Sequence, residues 1–334
     1  MPPANKYAAA HMDIKGPGDG RPTAFEVLED EGLEGKLTDK VILVTGASAG
    51  LGVETIRTLA RTGATVFGAA RDLNKAAKAL QGIEGKIELL DLDLASLDSV
   101  RAAADEFLKR SNGKLNILVN NAGTMALPTR TVTTDGFEAQ FGTNHLGHFL
   151  LFQLLKSALL CSSSPSFHSR VVNLSSSAHR LSEILPDDYN FETSDYDSFV
   201  AYGQAKTANL YMSNKIERAY GSQGLHGLAV HPGVIFTELL RNVDPAVREY
   251  VTNDPAMSAI RKSVQQGAAT TVLAAIGKEF EGVGGKYLED AGEWGPAEVG
   301  AAQTAPGYAS WAFNPALEDR LWEDSNRFVK FKDA

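Results

Sequence analysis

A tyrosine and a lysine four positions apart could form an acid–base pair. Tyr202 and Lys206 belong to the stretch YGQAK, and on a helix residues at i and i+4 lie on the same face. A phenol has an ordinary pKa of about 10, but a nearby ammonium favours the phenolate and lowers that pKa. The pair therefore predicts proton transfer at a substrate oxygen. The same spacing also occurs by chance on solvated helices, so the interpretation depends on the rest of the chain.

A glycine-rich turn near the N-terminus indicates a nucleotide site. The segment TGASAGLG, residues 45–52, follows the apolar run KVILV and precedes a helical pattern. Gly46, Gly50 and Gly52 would let the backbone approach a pyrophosphate at the N-terminus of that helix. A glycine-rich turn that binds no ligand is the alternative.

The residues at the end of ATVFGAA, the second predicted strand, distinguish a site for NADP from a site for NAD. In AARD, residues 69–72, an arginine would pair with the 2′-phosphate of NADP, whereas an acidic residue would bind the ribose 2′-hydroxyl of NAD. We favour NADP(H), with Arg71 as the phosphate ligand. Asp72 keeps NAD as an alternative, and Arg71 could instead be a solvated loop residue.

Composition and charge exclude several classes of protein. The 334-residue chain is 43% hydrophobic and 22% charged, as in ordinary globular proteins. Its net charge of −9 argues against nucleic acid and anionic membranes as partners. The single cysteine, Cys161, excludes an internal disulfide and a cysteine metal cage. We predict no metal site, and assign His145 and His148 to packing.

The sequence predicts a cytoplasmic protein without a transmembrane segment. The first residues lack the continuous apolar stretch of a secretory signal. The most hydrophobic segment, HFLLFQLLKSALLC at 148–161, is too short to span a bilayer and contains Gln153 and Lys156. A lone cysteine fits a reducing compartment.

Short apolar runs alternate with helical patterns from Lys40 onward. This alternation predicts an α/β fold, a doubly wound parallel sheet of about seven strands with helices on both faces. The predicted strands are KVILVTG, ATVFGAA, KIELLDL, LNILVNNAG, RVVNLSS, LHGLAVHPG and GGKYLED. Helical patterns include long ones at 135–160 and 261–276.

We predict an N-terminal extension over residues 1–38 and a single Rossmann-type domain over residues 39–334. The extension is polar and contains Pro and Gly, which suggests a surface or partly disordered segment. Within the domain we predict substrate loops near 181–198 and 237–257, with plain surface loops as the alternative. A C-terminal helical segment is predicted near 314–330.

Several motifs resemble, in order, those of the short-chain dehydrogenase/reductase family. They are TGASAGLG at 45–52, NNAG at 120–123, GTNHLGHF at 142–149, NLSSSAH at 173–179, YGQAK at 202–206 and HPGVIFT at 231–237. The resemblance runs from about Lys40 to Tyr287. FGTNHLGHFLLF, RVVNLSSSAH and AYGQAKTANLY are most similar to the retinol-dehydrogenase and WW-domain-oxidoreductase-like subgroup. The residues before the first strand are similar to those of fungal members.

The resemblance implies a catalytic role for each of these residues. Tyr202 would be the general acid in carbonyl reduction and the general base in alcohol oxidation. Lys206 would lower the pKa of Tyr202 and bind the nicotinamide ribose. Ser176 would hydrogen-bond the substrate oxygen, and is chosen over Ser175 and Ser177 because it occupies the family's motif position.

Asn144 and the cofactor contacts are also implied by the resemblance. Asn144 would hold a water that connects Lys206 to solvent, with a purely structural helix residue as the alternative. Asp93 and Leu94 would meet the adenine, and Asn121 could instead only tie neighbouring strands together. The implied cofactor-binding residues are Gly46, Ser48, Ala49, Gly50, Leu51, Gly52, Arg71, Asp93, Leu94, Asn121, Ala122, Gly123, Tyr202, Lys206, Pro232, Gly233, Val234, Ile235 and Thr237.

Together these features predict an NADP(H)-dependent oxidoreductase. The resemblance implies hydride transfer between the nicotinamide and an alcohol/carbonyl pair of a small, hydrophobic organic substrate, with a role in specialised metabolism as a further implication. An isomerase, dehydratase or cyclase of the same fold, and a non-catalytic NADP(H)-binding regulator, remain alternatives. The family commonly pairs through its Asn144 and Tyr202 helices, so a homodimer or homotetramer is expected unless the C-terminal segment blocks that surface.

Overall fold

The computed structural model describes residues 6–332 and contains an eight-stranded sheet. The strands are β1 (Val41–Thr45), β2 (Thr65–Ala70), β3 (Lys86–Asp91), β4 (Ile117–Asn120), β5 (Ser169–Leu174), β6 (Leu225–Val230), β7 (Lys286–Glu289) and β8 (Gly292–Glu293). Their order across the sheet is β3-β2-β1-β4-β5-β6-β7-β8, and neighbours are parallel except β7 and β8. The prediction of a doubly wound α/β fold is confirmed.

The predicted number of strands, about seven, is corrected to eight. The additional strand, β8, has two residues and returns antiparallel to β7. The turn between them contains Asp290 and Ala291, both with positive φ, 50° and 54°. A strand of two residues is too short for alternation of apolar and polar residues to be detected in the sequence.

Twelve helices accompany these strands in the described part of the chain. They are α1 (Ala24–Glu31), α2 (Gly50–Ala60), α3 (Leu73–Leu80), α4 (Leu97–Arg110), α5 (Ala139–Phe141), α6 (Gly147–Ser162), α7 (Ser198–Tyr220), α8 (Pro245–Asn253), α9 (Pro255–Ile260), α10 (Val264–Gly267), α11 (Ala269–Ile276) and α12 (Pro315–Phe328). None of the helices within residues 6–332 combines the length and apolarity that crossing a bilayer requires.

Each face of the sheet carries its own hydrophobic core. One core contains Leu28 of α1, Ile56 of α2 and Val272 of α11. The other contains Phe149 of α6 and Trp322 of α12. Because helices cover both faces, all five residues of β1 are buried. This explains why the strands appear in the sequence as continuous apolar runs.

The topology places a cleft at the carboxyl ends of β1 and β4. From β1 the chain adds β2 and β3 on one side, and then returns to add β4 and the later strands on the other side. In open α/β sheets this reversal separates the loops above the two neighbouring strands and leaves room for a ligand. The glycine-rich turn follows β1, and the NNAG motif spans the end of β4.

The helix predicted at 135–160 is divided in the structure. The Glu138 carboxylate accepts hydrogen bonds from the backbone N–H groups of Gln140, at 3.0 Å, and Phe141, at 2.7 Å, and thus caps the start of α5. A π-helical turn, Gly142–Leu146, then separates α5 from α6. Such turns are rare and are frequent at functional sites, and this one contains Asn144.

The helix predicted at 261–276 begins later and is also divided. Ser263 and Gln266 form a capping box that starts α10 at Val264. Arg261 lies outside the helix, in a parallel bridge with Val234. The sequence pattern could not show this pairing because it joins two distant segments.

The N-terminal extension contributes α1, for which the sequence patterns gave no prediction. Thr23 and Glu26 form a capping box at its start. Ala24, Val27 and Leu28 are fully buried, and α1 packs against α11 and α2. This part of the extension therefore belongs to one of the two hydrophobic cores.

Candidate active site

A cavity of about 690 Å³ lies at the carboxyl ends of the central strands. Most of the residues predicted to bind the cofactor line it: Gly46, Ser48, Ala49, Gly50, Leu51, Gly52, Arg71, Asp93, Leu94, Asn121, Ala122, Gly123, Tyr202, Lys206, Pro232 and Thr237. The lining thus joins the glycine-rich turn to the tyrosine–lysine pair, which are about 150 residues apart in the chain.

The backbone of the glycine-rich turn requires glycine. Gly46 and Gly50 have φ of 85° and 60°, in the left-handed region. A Cβ on Gly52 would lie 2.2 Å from the carbonyl oxygen of Gly46. Ala49 precedes α2 without a side-chain cap. The first N–H groups of α2 are therefore not capped by that side chain and can bind an anion in the cavity.

Arg71 and Asp72 have different environments at the end of β2. Arg71 is exposed and lines the cavity. One carboxylate oxygen of Asp72 accepts the backbone N–H of Lys75 at 2.9 Å, and so caps α3. Lys75 also lines the cavity, and its Nζ lies 2.9 Å from Oε2 of Glu238, which lines the cavity too. Asp72 therefore has a structural function that is independent of any ribose.

Thr45 and Asn121 join the ends of β1 and β4. Asn121 Nδ2 donates to the Thr45 carbonyl oxygen at 2.7 Å. The Thr45 hydroxyl oxygen accepts the backbone N–H groups of Asn121, at 2.9 Å, and Ala122, at 3.0 Å. Asn121 thus ties the neighbouring strands together, which was the alternative considered for it, while it also lines the cavity.

Tyr202 and Lys206 are both buried on one face of α7, each with 4% exposure. Lys206 Nζ lies 5.4 Å from the centre of the Tyr202 ring. It donates a hydrogen bond to the carbonyl oxygen of Leu174, the last residue of β5, at 2.9 Å. The strand end therefore fixes the ammonium beside the phenol.

Burial has the largest effect on the pKa values of Tyr202 and Lys206. It raises the pKa of Tyr202 well above its ordinary value, and a hydrogen bond with Ser176 opposes this rise. Burial also lowers the pKa of Lys206 to about 8. The sequence predicted that Lys206 lowers the pKa of Tyr202, but in this structure loss of hydration raises that pKa and only the hydrogen bond with Ser176 opposes the rise.

The three adjacent serines have different environments. Ser176 contacts Tyr202 through its hydroxyl, which also accepts the backbone N–H of Ala178 at 3.1 Å. The Ser175 hydroxyl is buried and donates to the Lys206 carbonyl oxygen at 2.9 Å. The side chain that reaches the phenol is therefore that of Ser176.

Asn144 bonds to backbone through its whole side-chain amide. Its Oδ1 accepts the N–H of Thr124 at 2.8 Å, and its Nδ2 donates to the Thr124 carbonyl oxygen at 2.9 Å. A Cβ on Gly123 would lie 3.2 Å from Asn144 Oδ1 and 3.8 Å from Lys206 Nζ. The π-helical turn thus brings Asn144 close to Lys206, but the side chain of Asn144 forms its hydrogen bonds with the loop after β4.

The sequence did not reveal that His148 forms hydrogen bonds with Asn144 and Thr45. Its Nδ1 lies 2.9 Å from the Asn144 carbonyl oxygen, and its Nε2 lies 2.8 Å from the Thr45 hydroxyl. A carbonyl only accepts, so Nδ1 carries the proton and Nε2 accepts from Thr45. Burial lowers the pKa of His148 to about 4, so the ring is neutral. It connects the π-helical turn to the end of β1.

Only some of the residues after β6 that the resemblance implied as cofactor contacts line the cavity. Pro232 and Thr237 line the cavity, whereas Gly233, Val234 and Ile235 are not part of its lining. The sequence analysis did not name several other lining residues individually: Lys75, Leu127 and Thr143, and, within the predicted substrate loop 237–257, Glu238, Leu239, Arg241 and Asn242. Glu238–Asn242 form a 3₁₀ turn in the predicted loop 237–257, but no residue type there marks a ligand site.

We expect the substitution Lys206→Met to stabilise the protein at neutral pH. The pKa of Lys206 is lowered from 10.5 to about 8, so burial of the charge costs free energy below pH 8 and this cost vanishes above pH 10.5. The Leu174 carbonyl keeps a partner, because Asn209 Nδ2 donates to it at 3.0 Å. The free energy of unfolding at pH 7 should rise by roughly 1–3 kcal/mol.

Urea unfolding without nucleotide, followed from pH 6 to pH 11, measures this effect. The gain should be constant up to about pH 8 and should disappear as the pH approaches 10.5. Lys109→Met, at an exposed position of α4, is the matched control and should show no such pH dependence. A Lys206→Met variant that is less stable than wild type at pH 7 would contradict the account.

Comparison with known proteins agrees with this geometry. The short chain dehydrogenase family model matches residues 40–248. The short-chain dehydrogenase/reductase prx1 of Penicillium rubens is 49% identical over 331 residues, covering 98% of this chain and 96% of the relative. Retinol dehydrogenase 12 of Mus musculus is 40% identical over 260 residues, covering 76% and 79%.

Among solved structures, the Pseudomonas aeruginosa RhlG/NADP active-site complex is similar, with a TM-score of 0.61 and 26% identity. The match covers 77% of this chain and 96% of the solved chain. The family match spans more than half of the 334 residues, and the relatives align over most of their lengths. The chain belongs to the short-chain dehydrogenase/reductase family.

Proposed function

We propose that this oxidoreductase uses NADP(H) and interconverts an alcohol and a carbonyl group on a small, hydrophobic organic substrate. The observation that carries the proposal is the burial of Tyr202 and Lys206 in the lining of the cavity that also contains the glycine-rich turn. Ser176 is half-buried and lies outside that lining, but its hydroxyl is hydrogen-bonded to Tyr202. A bound dinucleotide would connect the turn to the tyrosine–lysine pair. The resemblance to fungal members supports, as a further part of the proposal, a role in specialised metabolism.

The residues of the cleft fit a nicotinamide dinucleotide. The α2 N-terminus and the glycine-rich turn would hold the pyrophosphate, and Asp93 with Leu94 would meet the adenine. When bound, the nicotinamide supplies or accepts a hydride at its C4 atom. Pro232 and Thr237 line the same cavity and would hold the carboxamide end.

The protein's own side chains would handle the proton. In carbonyl reduction, the Tyr202 hydroxyl donates its proton to the substrate oxygen, and the Ser176 hydroxyl hydrogen-bonds the same oxygen as charge develops. The Lys206 ammonium stabilises the phenolate that remains. In alcohol oxidation the phenolate takes the proton back. The Asn144 carbonyl, already oriented by His148, would bind the water that resupplies Lys206.

The cofactor preference is proposed from the basic side chains near β2. Arg71 and Lys75 both line the cavity, and Asp72 is engaged in capping α3. An exposed arginine at this position suits a 2′-phosphate through charge-assisted hydrogen bonds. The similar solved structure from Pseudomonas aeruginosa is an active-site complex with NADP.

Replacing the phenol tests the catalytic proposal. We expect Tyr202→Phe to lower kcat/KM for carbonyl reduction by at least about 100-fold, since general acid catalysis contributes that much. The dissociation constant of NADPH should change less than about twofold, because the phenol acts on the substrate oxygen. NADPH consumption over a panel of hydrophobic ketones and aldehydes gives the first value, and fluorescence titration gives the second.

Tyr220→Phe, at the far end of α7, is the control and should retain full turnover. If Tyr202→Phe reduces the same carbonyls as fast as wild type, the proposed acid is wrong. Tight NADPH binding with no hydride transfer to any carbonyl would favour the isomerase, dehydratase or regulatory alternatives, which no feature of the described residues supports at present.

Replacing Arg71 tests the cofactor preference. We expect Arg71→Ala to raise the dissociation constant of NADPH by roughly 10- to 100-fold, as for loss of a charged hydrogen bond of about 1.5–3 kcal/mol. The weak affinity for NADH should not change, because NADH lacks the 2′-phosphate. Lys78→Ala, an exposed cation of α3 outside the cavity lining, is the control. Equal weakening of both nucleotides, or wild-type use of NADH, would contradict the preference.

Helix α12 limits the surfaces that are available for assembly. The helices expected to pair between subunits, α6 and α7, are packed against α12 in this chain: the Trp322 ring centre lies 4.9 Å from that of Phe149, and Asn214 Nδ2 donates to Glu318 at 2.8 Å. We propose that a homodimer or homotetramer would therefore use another surface, and that the protein is cytoplasmic. Light scattering and cell fractionation measure the two properties.

A further inference from the structure

The first residues of the described chain form an ordered arm along the molecule. We call residues 7–22 the N-terminal arm. Asp19 organises it, because its carboxylate accepts the backbone N–H groups of Lys15 at 2.8 Å and Gly16 at 3.2 Å, and the Arg21 Nε at 2.8 Å. The side chains of Asp19 and Arg21 are only 4% and 3% exposed. An ion pair that is buried to this extent requires a fixed geometry.

The arm bonds to the segment that follows α9. Arg21 Nη1 donates to the carbonyl oxygen of Ile260 at 2.8 Å, and its Nη2 donates to that of Arg261. Gln266 Oε1 accepts the backbone N–H of Gly18 at 3.0 Å, and Gln266 Nε2 donates to the Asp19 carbonyl oxygen at 3.0 Å. Residues 260–266 are therefore held by the arm on both sides of Lys262.

Lys262 connects the segment 260–266 to the loop after β6. Its backbone N–H donates to the Val234 carbonyl oxygen at 2.9 Å, and its Nζ reaches the Pro232 carbonyl oxygen at 3.4 Å. Gly233 has a φ of 100°, and a Cβ there would lie 2.9 Å from the Lys262 side chain. The lysine thus lies directly against the 232–234 turn, whose first residue lines the cavity.

Asp290 holds the Lys262 ammonium in place. Its carboxylate lies 2.6 Å from Lys262 Nζ and 3.3 Å from Nδ1 of His11, which belongs to the arm. Burial opposes ionisation of Asp290, yet Lys262 and His11 hold its pKa well below its ordinary value. Asp290 and Ala291 have positive φ, a strained turn in which the Ala291 N–H is bonded to Thr270 at 3.0 Å. That turn directs the carboxylate towards the lysine.

We propose that Lys262 is a positioning residue for the nicotinamide end of the cofactor, and that the N-terminal arm and the β7–β8 turn hold it there. This inference depends on the proposed function. The arm and Lys262 both lie outside the region matched by the family model, residues 40–248. In this chain the 232–234 turn is therefore held in place by segments outside residues 40–248.

The closing experiment separates the two ends of the cofactor. Adenosine 2′,5′-bisphosphate contains the adenosine and the 2′-phosphate but no nicotinamide, so its binding is independent of the 232–234 turn. For Lys262→Met we expect a roughly tenfold weaker binding of NADPH, unchanged binding of the bisphosphate, and a roughly tenfold lower kcat, since small displacements of reacting groups are costly. Calorimetric titration measures both affinities.

Two further variants make the test specific. Lys286→Met removes a lysine of β7 whose partner is Glu293 on the exposed edge, and should behave as wild type. Asp290→Asn removes the partner of Lys262 without changing side-chain size, and should give the pattern of Lys262→Met with a smaller loss. Thermal unfolding of each variant checks that it is folded at the assay temperature.

The outcomes are distinguishable. Equal loss of NADPH and bisphosphate affinity in both variants, or wild-type affinity and turnover in both, would overturn the inference. Failure of the wild-type chain itself to bind NADPH would contradict the proposed function instead. Weaker binding of NADPH with unchanged binding of the bisphosphate, in Lys262→Met but not in Lys286→Met, supports the positioning role.

Discussion

An ammonium buried one helical turn from a buried phenol is the interaction on which this site depends. Burial opposes the charged form of each group, raising the pKa of Tyr202 and lowering that of Lys206 to about 8. Such a pair persists only where the surrounding structure determines its geometry. Here the end of β5 supplies the Leu174 carbonyl for Lys206 and the Ser176 hydroxyl for Tyr202.

The remaining contacts connect this pair to the end of the cleft that contains the glycine-rich turn. Thr45 bonds to the loop after β4 and to His148, and His148 orients the Asn144 carbonyl. Each of these groups has a partner that fixes its direction, so the cleft is ordered before any ligand binds. This kind of preorganisation lets polar groups stabilise charge without reorganising during a reaction. The structure is in this respect suited to catalysis.

Features encoded by local patterns could be predicted from the sequence. The buried parallel strands are continuous apolar runs, and the glycine-rich turn and the Tyr202–Lys206 spacing are local motifs. Features that join distant segments could not be predicted. The Lys75–Glu238 and Lys262–Asp290 pairs span 163 and 28 positions, and β8 is too short for a pattern. The π-helical turn at Asn144 and the core position of α1 depend on packing, which propensities alone do not encode.

The pKa of Tyr202 with and without NADP⁺ is the measurement that tests the central claim most directly. Tyrosine labelled with ¹³C at Cζ, assigned by loss of one of nine signals in Tyr202→Phe, reports the phenol directly. The account predicts a pKa well above 10 in the free protein. On NADP⁺ binding it should fall by at least about two units, because the nicotinamide charge adds to that of Lys206. A pKa unchanged by bound NADP⁺ would contradict the account.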